Sequence, residues 1–160
     1  MRRLEDILNG LESTPRILAE MMAAVPAAMV KERRLPGRWT IHEHACHLVQ
    51  VQPLILERFK RFSREETPEF TPFIPGTSEP DDTLLEMDLD DALGEFPERR
   101  REILDLVAAF DDALWRREAL HPEYTLYTPF ILLRHTLFHD HFHLYRIETL
   151  WLTVDGYLGG

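Results

Sequence analysis

The sequence predicts an all-α fold, a four-helix bundle, and three observations carry that reading. Strand-like alternation of β-branched and polar residues is almost absent. Apolar residues recur at helical spacing in four separate stretches. Helix-start signals, either a hydroxyl cap before proline or a capping box, mark three of those stretches. The 160 residues fit a single domain spanning 1–160, long enough to bury a continuous core.

The elements follow in chain order. Leu4, Ile7, Leu8 and Leu11 begin a first helical region. Ser13-Thr14-Pro15 then reads as a cap with first-turn proline, restarting a helix through Ile17, Leu18, Met21 and Met22. Around Val25-Pro26 that helix should end or kink. Thr40-Ile41-His42-Glu43 has the capping-box spacing and opens a second helix. Its apolar stripe is Ala45, Leu48, Val49, Leu54, Ile55, Phe59 and Phe62, and Pro53 should kink it. From Glu65 to Thr83 five Pro or Gly residues predict a long surface connection, of the kind that forms a lid or a crossover between helices. A third helix is expected from about Asp90 to Phe110, with Leu93, Phe96, Ile103, Leu104, Val107 and Phe110 inward and Pro97 near its start. Asp111 to Tyr127 reads as a turn-rich connection. Thr128-Pro129 then opens a fourth helix through about Leu152. That helix is apolar on more than one face, so it is central to the core or shared with a second subunit.

Composition removes several function classes. The apolar fraction of 44% beside 29% charged residues is that of a soluble globular chain. No run of about 18 apolar residues is present, so no transmembrane helix is expected. The start, Met1-Arg2-Arg3-Leu4, lacks the features of a secretory signal, and the one cysteine, Cys46, fits a reducing compartment; a cytoplasmic protein is expected. A net charge of −10 argues against a nucleic-acid partner. The basic clusters Lys31-Glu32-Arg33-Arg34 and Arg99-Arg100-Arg101 are expected on solvated faces.

Eight histidines are many for this length, and four fall within the nine residues 135–143. His135, His139 and His143 are spaced by four, each rotated only about 40° from the last, so they form a ladder on one face. Leu132, Thr136, Ile147 and Leu150 share that face, which turns it towards the core. Two imidazoles one turn apart can grip one divalent ion, and His47, between Ala45 and Leu48 on the second helix, is the best third ligand. His135 is open among three roles: a ligand, a residue supporting a ligand, or a packed core residue. His42, His44 and His141 are expected at the surface, and Cys46 as a small buried residue. His139-Asp140-x-x-His143 also approaches the H-E-x-x-H of zinc peptidases, but Asp replaces Glu, little chain follows to supply a further ligand, and no sheet is predicted.

Two segments together resemble the DinB/YfiT-like superfamily. Leu35-Pro36-Gly37-Arg38-Trp39-Thr40-Ile41-His42-Glu43-His44-Ala45-Cys46-His47-Leu48 resembles the stretch that leads into the family's first metal histidine. Leu132 to His143 resembles its second signature, an H-[DE]-x-x-H helix. The resemblance implies up-down-down-up connectivity, with the long connection between the second and third helices, and often a homodimer. It also implies one zinc-, nickel- or iron-type ion held by residues at the positions of His47, His139 and His143. Gln52 departs from the pattern, since many members carry an acid five residues after the first histidine. Characterised relatives include transferases using low-molecular-weight thiols, so the resemblance implies a metal-dependent S-transferase acting on small molecules. Arg38, Arg134 or Arg146 would then receive the thiol's carboxylates. The alternatives are a metal-dependent hydrolase, with Asp140 as the catalytic proton acceptor, and a non-enzymatic, stress-related metal-binding module.

Overall fold

The computed structural model describes residues 2–71 and 83–158, and among them it is all-helical apart from one isolated bridge between Glu69 and Leu120. Four long rods form the bundle: α1 (Arg2–Ala24), the pair α3 (Ile41–Gln50) and α4 (Gln52–Arg64), α6 (Leu89–Ala108) and α8 (Pro129–Leu152). Short helices α2 (Ala27–Val30), α5 (Thr83–Glu86) and α7 (Asp112–Trp115) lie in the connections, and a single 3-10 turn (Asp155–Tyr157) follows α8. Helix α1 packs on α6 and α8, while α3 also packs on α6 and α8, so the four rods close a ring.

Three of the long helices start on a side-chain cap. Thr40 Oγ1 accepts from the Glu43 amide at 3.1 Å, and the Glu43 carboxylate accepts from the Thr40 amide at 2.7 Å, which completes the capping box of α3. Asp88 accepts from the Asp91 amide at the start of α6, and Thr128 from the Ile131 amide at the start of α8, each without the reciprocal bond. Pro53 stands in the first turn of α4, where its missing N–H costs nothing, so the expected kink is a break between α3 and α4 at Val51.

One expected boundary is absent. Ser13-Thr14-Pro15 does not restart a helix; α1 runs through it without interruption. Both hydroxyls turn back to carbonyls one turn earlier, Ser13 to Asn9 and Thr14 to Gly10. Tertiary packing outweighs the local cap signal, because Leu11 and Leu18 on either side are fully buried. The Glu65–Thr83 connection lies largely in residues 72–82, outside the described residues. Its described start is tied down: Phe70 is buried, and its amide donates to the Leu120 carbonyl at 2.8 Å.

The core divides into two apolar clusters. One gathers Leu18, Met22, Ala45, Leu48, Phe96 and Ile147, and the other Leu11, Ile55, Phe59, Phe62, Ile103 and Leu132. Between them lies a buried polar layer with one residue from each rod: Thr14, Gln52, Arg100 and Asp140. Arg100 Nη2 is 2.8 Å from Asp140 Oδ2, and Arg100 Nε donates to Gln52 Oε1 at 3.1 Å. Gln52 in turn donates to the Leu48 carbonyl at 2.6 Å. Here the Gln52 departure has its structural setting: the amide bridges a buried guanidinium and the backbone of α3. The basic cluster Arg99-Arg100-Arg101 is therefore not wholly solvated as expected, since a carboxylate in the core draws Arg100 in. Arg34 corrects the same expectation for the other cluster. It is tucked against the end of α8, donating to the carbonyls of Leu150 and Thr153 and pairing with Asp155.

Candidate metal centre

Helices α3 and α8 bring His47, His139 and His143 together. His139 Nε2 lies 3.2 Å from His47 Nε2 and 3.2 Å from His143 Nε2. All three ligand atoms fall within 4.8 Å of one another. Bonds of about 2.0–2.1 Å at tetrahedral angles would put ligand nitrogens roughly 3.3 Å apart, so the two separations at His139 are compatible with one shared divalent ion. The donor chemistry agrees. Burial, followed by the neighbouring imidazoles, lowers His139 to about 3 and His143 to about 2, which keeps both rings neutral and able to bind a metal. Three imidazoles could hold a divalent ion and leave coordination positions open.

Two residues expected at the surface prove to be buried. His44 is 6% exposed, and its Nδ1 lies 2.8 Å from His143 Nδ1. When His143 Nε2 serves as a ligand, its proton sits on Nδ1 and is donated to His44, which fixes both the tautomer and the ring plane. Burial, then Arg146, then His47 lower His44 to about 3, so it is a neutral acceptor. His42 is also buried, beside the backbone of Leu84 and Met87 at α5. Both cases have one cause: α3 is enclosed on nearly all sides, so every residue from Ile41 to Val49 is buried. Sequence periodicity assumes a helix with one wet face, and α3 has none. His141 is exposed as expected.

Trp39, just ahead of the Thr40 cap, closes one side of the group. Its ring stacks on His143 at 5.8 Å between centroids and tilts against His47 at 4.8 Å. The other side opens on a cavity of about 230 Å³. His47, Val51, Leu54 and Arg58 line it from α3 and α4, and Leu132, His135, Thr136 and His139 from α8. His121, Glu123, Tyr124 and Tyr127 close its end. Of the open roles for His135, the structure shows none of direct ligation: it stands outside the three-histidine group, with Nδ1 3.0 Å from the Tyr124 hydroxyl. Burial, Arg58 and His121 all lower its pKa.

Asp140 follows His139 in sequence but turns about 100° away, into the polar layer, where Arg100 holds it. Burial pushes its carboxyl up, against the downward pull of Arg100 and the Thr14 hydroxyl. Cys46 is fully buried, and burial raises its thiol to about 11, as suits a packed residue. Arg38 and Arg146 line a separate cavity of about 580 Å³ with Trp39 and His44, and Arg134 is exposed, so none of the three arginines expected to receive carboxylates reaches the 230 Å³ cavity. Arg58, His44, Tyr124 and Arg100 escaped the sequence reading. Only Arg58 carried a usable signal, because it lies 11 residues beyond His47, about three helical turns, and so shares its face.

A sequence model of the DinB superfamily matches residues 11–147. No curated protein sequence matches the chain. Among solved structures, YfiT from Bacillus subtilis superposes with a TM-score of 0.80, covering 91% of this chain and 84% of that one at 24% identity. That protein is described as a probable metal-dependent hydrolase with an unusual four-helix bundle topology. At that identity the likeness establishes the four-helix fold, and the sequence match over most of the chain establishes the family. The chain belongs to the DinB superfamily.

Proposed function

We propose that His47, His139 and His143 hold one divalent ion, zinc, nickel or iron, and that the protein is a metal-dependent transferase using a low-molecular-weight thiol as nucleophile. The observation that carries this reading is the convergence of three imidazole nitrogens, 3.2 Å apart across His139, on the wall of a cavity sized for a small molecule. An ion so bound supplies Lewis acidity, lowering the pKa of a thiol or water that it holds. His44 and Trp39 keep the His143 ring oriented, and Trp39 excludes water from the side away from the cavity. Val51, Leu54 and Leu132 give the cavity an apolar wall for the electrophile.

Thiol transfer is favoured over hydrolysis by the absence of a buried carboxylate base among the described residues of the cavity. Among the described residues lining the cavity, Glu123 is the one carboxylate, and it is exposed. A thiol can release its proton to solvent on binding, whereas attack by water calls for a positioned base. The second reading, hydrolysis, rests on His135, which Tyr124 anchors in the same cavity and which would accept the proton of an attacking water. The description of YfiT supports this second reading too. Asp140 enters either reading through its ion pair, which fixes the turn of α8 that carries His139 and His143. A cytoplasmic setting suits a protein whose one cysteine is a buried thiol; among the described residues no helix is long and apolar enough to cross a membrane. The exposed stripe Phe138, Phe142, Tyr145 and Leu152 on α8 supports a homodimer, testable by sedimentation of the wild type against Phe138→Glu. A non-enzymatic module remains the outcome if no substrate turns over.

Elemental analysis of the wild type and His139→Ala tests the metal. One equivalent in the wild type and little in the variant is expected, and equal trace amounts in both would refute the ligand assignment. Metal-replete protein, mixed with a panel of thiols and a chlorodinitrobenzene electrophile, then separates transfer from hydrolysis of ester or amide substrates.

A further inference from the structure

We infer that Arg58 is an anion subsite and that the substrate bound between α4 and α8 carries a carboxylate; this deepens the reading of the 230 Å³ cavity as the substrate site.

The placement follows from helical arithmetic. His47, Val51, Leu54 and Arg58 stand at intervals of four, three and four residues, so they form one stripe, and all four line the cavity. Opposite them, Leu132, His135, Thr136 and His139 form the facing stripe of α8. The three-histidine group lies at one end of this channel and Arg58 about three turns further along.

Arg58 is held in place without being consumed. Its Nη2 donates to the Thr71 carbonyl at 2.8 Å and its Nη1 to the Tyr127 hydroxyl at 3.3 Å, so two of five donors are used. Its guanidinium also lies 5.6 Å from the centre of the buried Phe70 ring. Among the described residues no carboxylate pairs with it, although the chain carries a net charge of −10 and eight other arginines have acidic partners. Arg58 is half-buried, so its charge is only partly hydrated. A cation fixed by neutral oxygens and an aromatic ring, with free N–H groups beside an apolar wall, suits a ligand carboxylate. Its charge reaches across the cavity, since after burial it is the next cause that lowers both His121 and His135. Arg146 is likewise half-buried and has no acidic partner among the described residues, but it lies in the other cavity, away from His47 and His139.

Equilibrium binding of 3-phenylpropionate and of the uncharged 3-phenylpropanol, followed by calorimetry on metal-free and metal-loaded protein, tests this. The carboxylate is expected to bind both forms. Arg58→Met should weaken it about ten- to a hundredfold and leave the alcohol unchanged. Arg58→Lys keeps the charge but loses the fork, and should fall between the two. Wild type and Arg58→Met binding the carboxylate equally, or the wild type not preferring it to the alcohol, would overturn the subsite. The metal-free arm is independent of metal binding and turnover, so failure of the transferase reading leaves this result standing. If Arg58→Met does not fold, Arg58→Lys decides: undiminished carboxylate affinity in it refutes a role for the guanidinium fork. The same comparison, made with a carboxylate-bearing thiol and a carboxylate-bearing electrophile, shows which of the two supplies the anion.

Discussion

Asp140→Asn separates a structural carboxylate from a proton-transfer residue. The side chains of Arg100 and Asp140 are 2% and 0% exposed, and their closest atoms are 2.8 Å apart. Asparagine keeps the shape but removes the charge, leaving the guanidinium buried against Gln52 and the Phe96 ring with no compensating carboxylate among the described residues. Breaking one half of a buried pair costs about 3–5 kcal/mol. For a domain of this size that corresponds to a fall in melting midpoint of roughly 6–20 °C. Typical domain stabilities of about 5–15 kcal/mol leave such a variant folded in the cold. The assay is urea denaturation of the metal-free protein, with metal content measured in parallel. Arg100→Met combined with Asp140→Leu removes both charges and should recover much of the loss, because the layer then joins the two apolar clusters above and below it. A loss below about 1 kcal/mol in the single variant, coupled with abolished turnover, would refute the structural reading and return Asp140 to acid–base chemistry.

Further outcomes follow from the site and its supports. Because His139, His143 and His44 are depressed to about 3, 2 and 3, the unfolded chain takes up protons first on acidification. The stability they confer is full above about pH 6.5 and is lost as pH falls towards 3, by about 1.4 kcal/mol per unit for each histidine at most; metal-free protein unchanged in denaturation midpoint between pH 7.5 and 5 would contradict this. His44→Phe removes the acceptor for His143 and should weaken metal binding about 10- to 100-fold in a chelator competition, whereas His44→Gln should restore part of it. Thr40→Ala, at the head of the helix that carries His47, should cost about 1 kcal/mol in thermal or urea unfolding; no measurable loss would show that the capping box is redundant with burial of α3.

Much of the fold and the ligand set was legible because both depend on short-range rules. The Thr40 and Thr128 caps act within one turn, and the His139/His143 pair is fixed by the pitch of a single helix. His47 was legible as an inward residue of α3, but its approach to His139 belongs to the packing of α3 on α8. Residues whose roles depend on enclosure were misread: Ser13 and Thr14 have the local chemistry of caps, and His42 and His44 that of solvated polar residues. Arg100 looked like part of a solvated basic run and is the largest fully buried side chain among the described residues.

The sequence by itself determined the four long helical rods, most of their ends, and the histidine pair that opens the candidate site. Tertiary structure decided which polar residues leave water. Burial is a property of four helices in contact, and no periodicity along one of them reports how many neighbours it will have. That is why the three-histidine group, visible beforehand as separate positions, acquired its His44 support, its Trp39 wall and its Arg58-lined cavity only when α3, α4 and α8 closed around it.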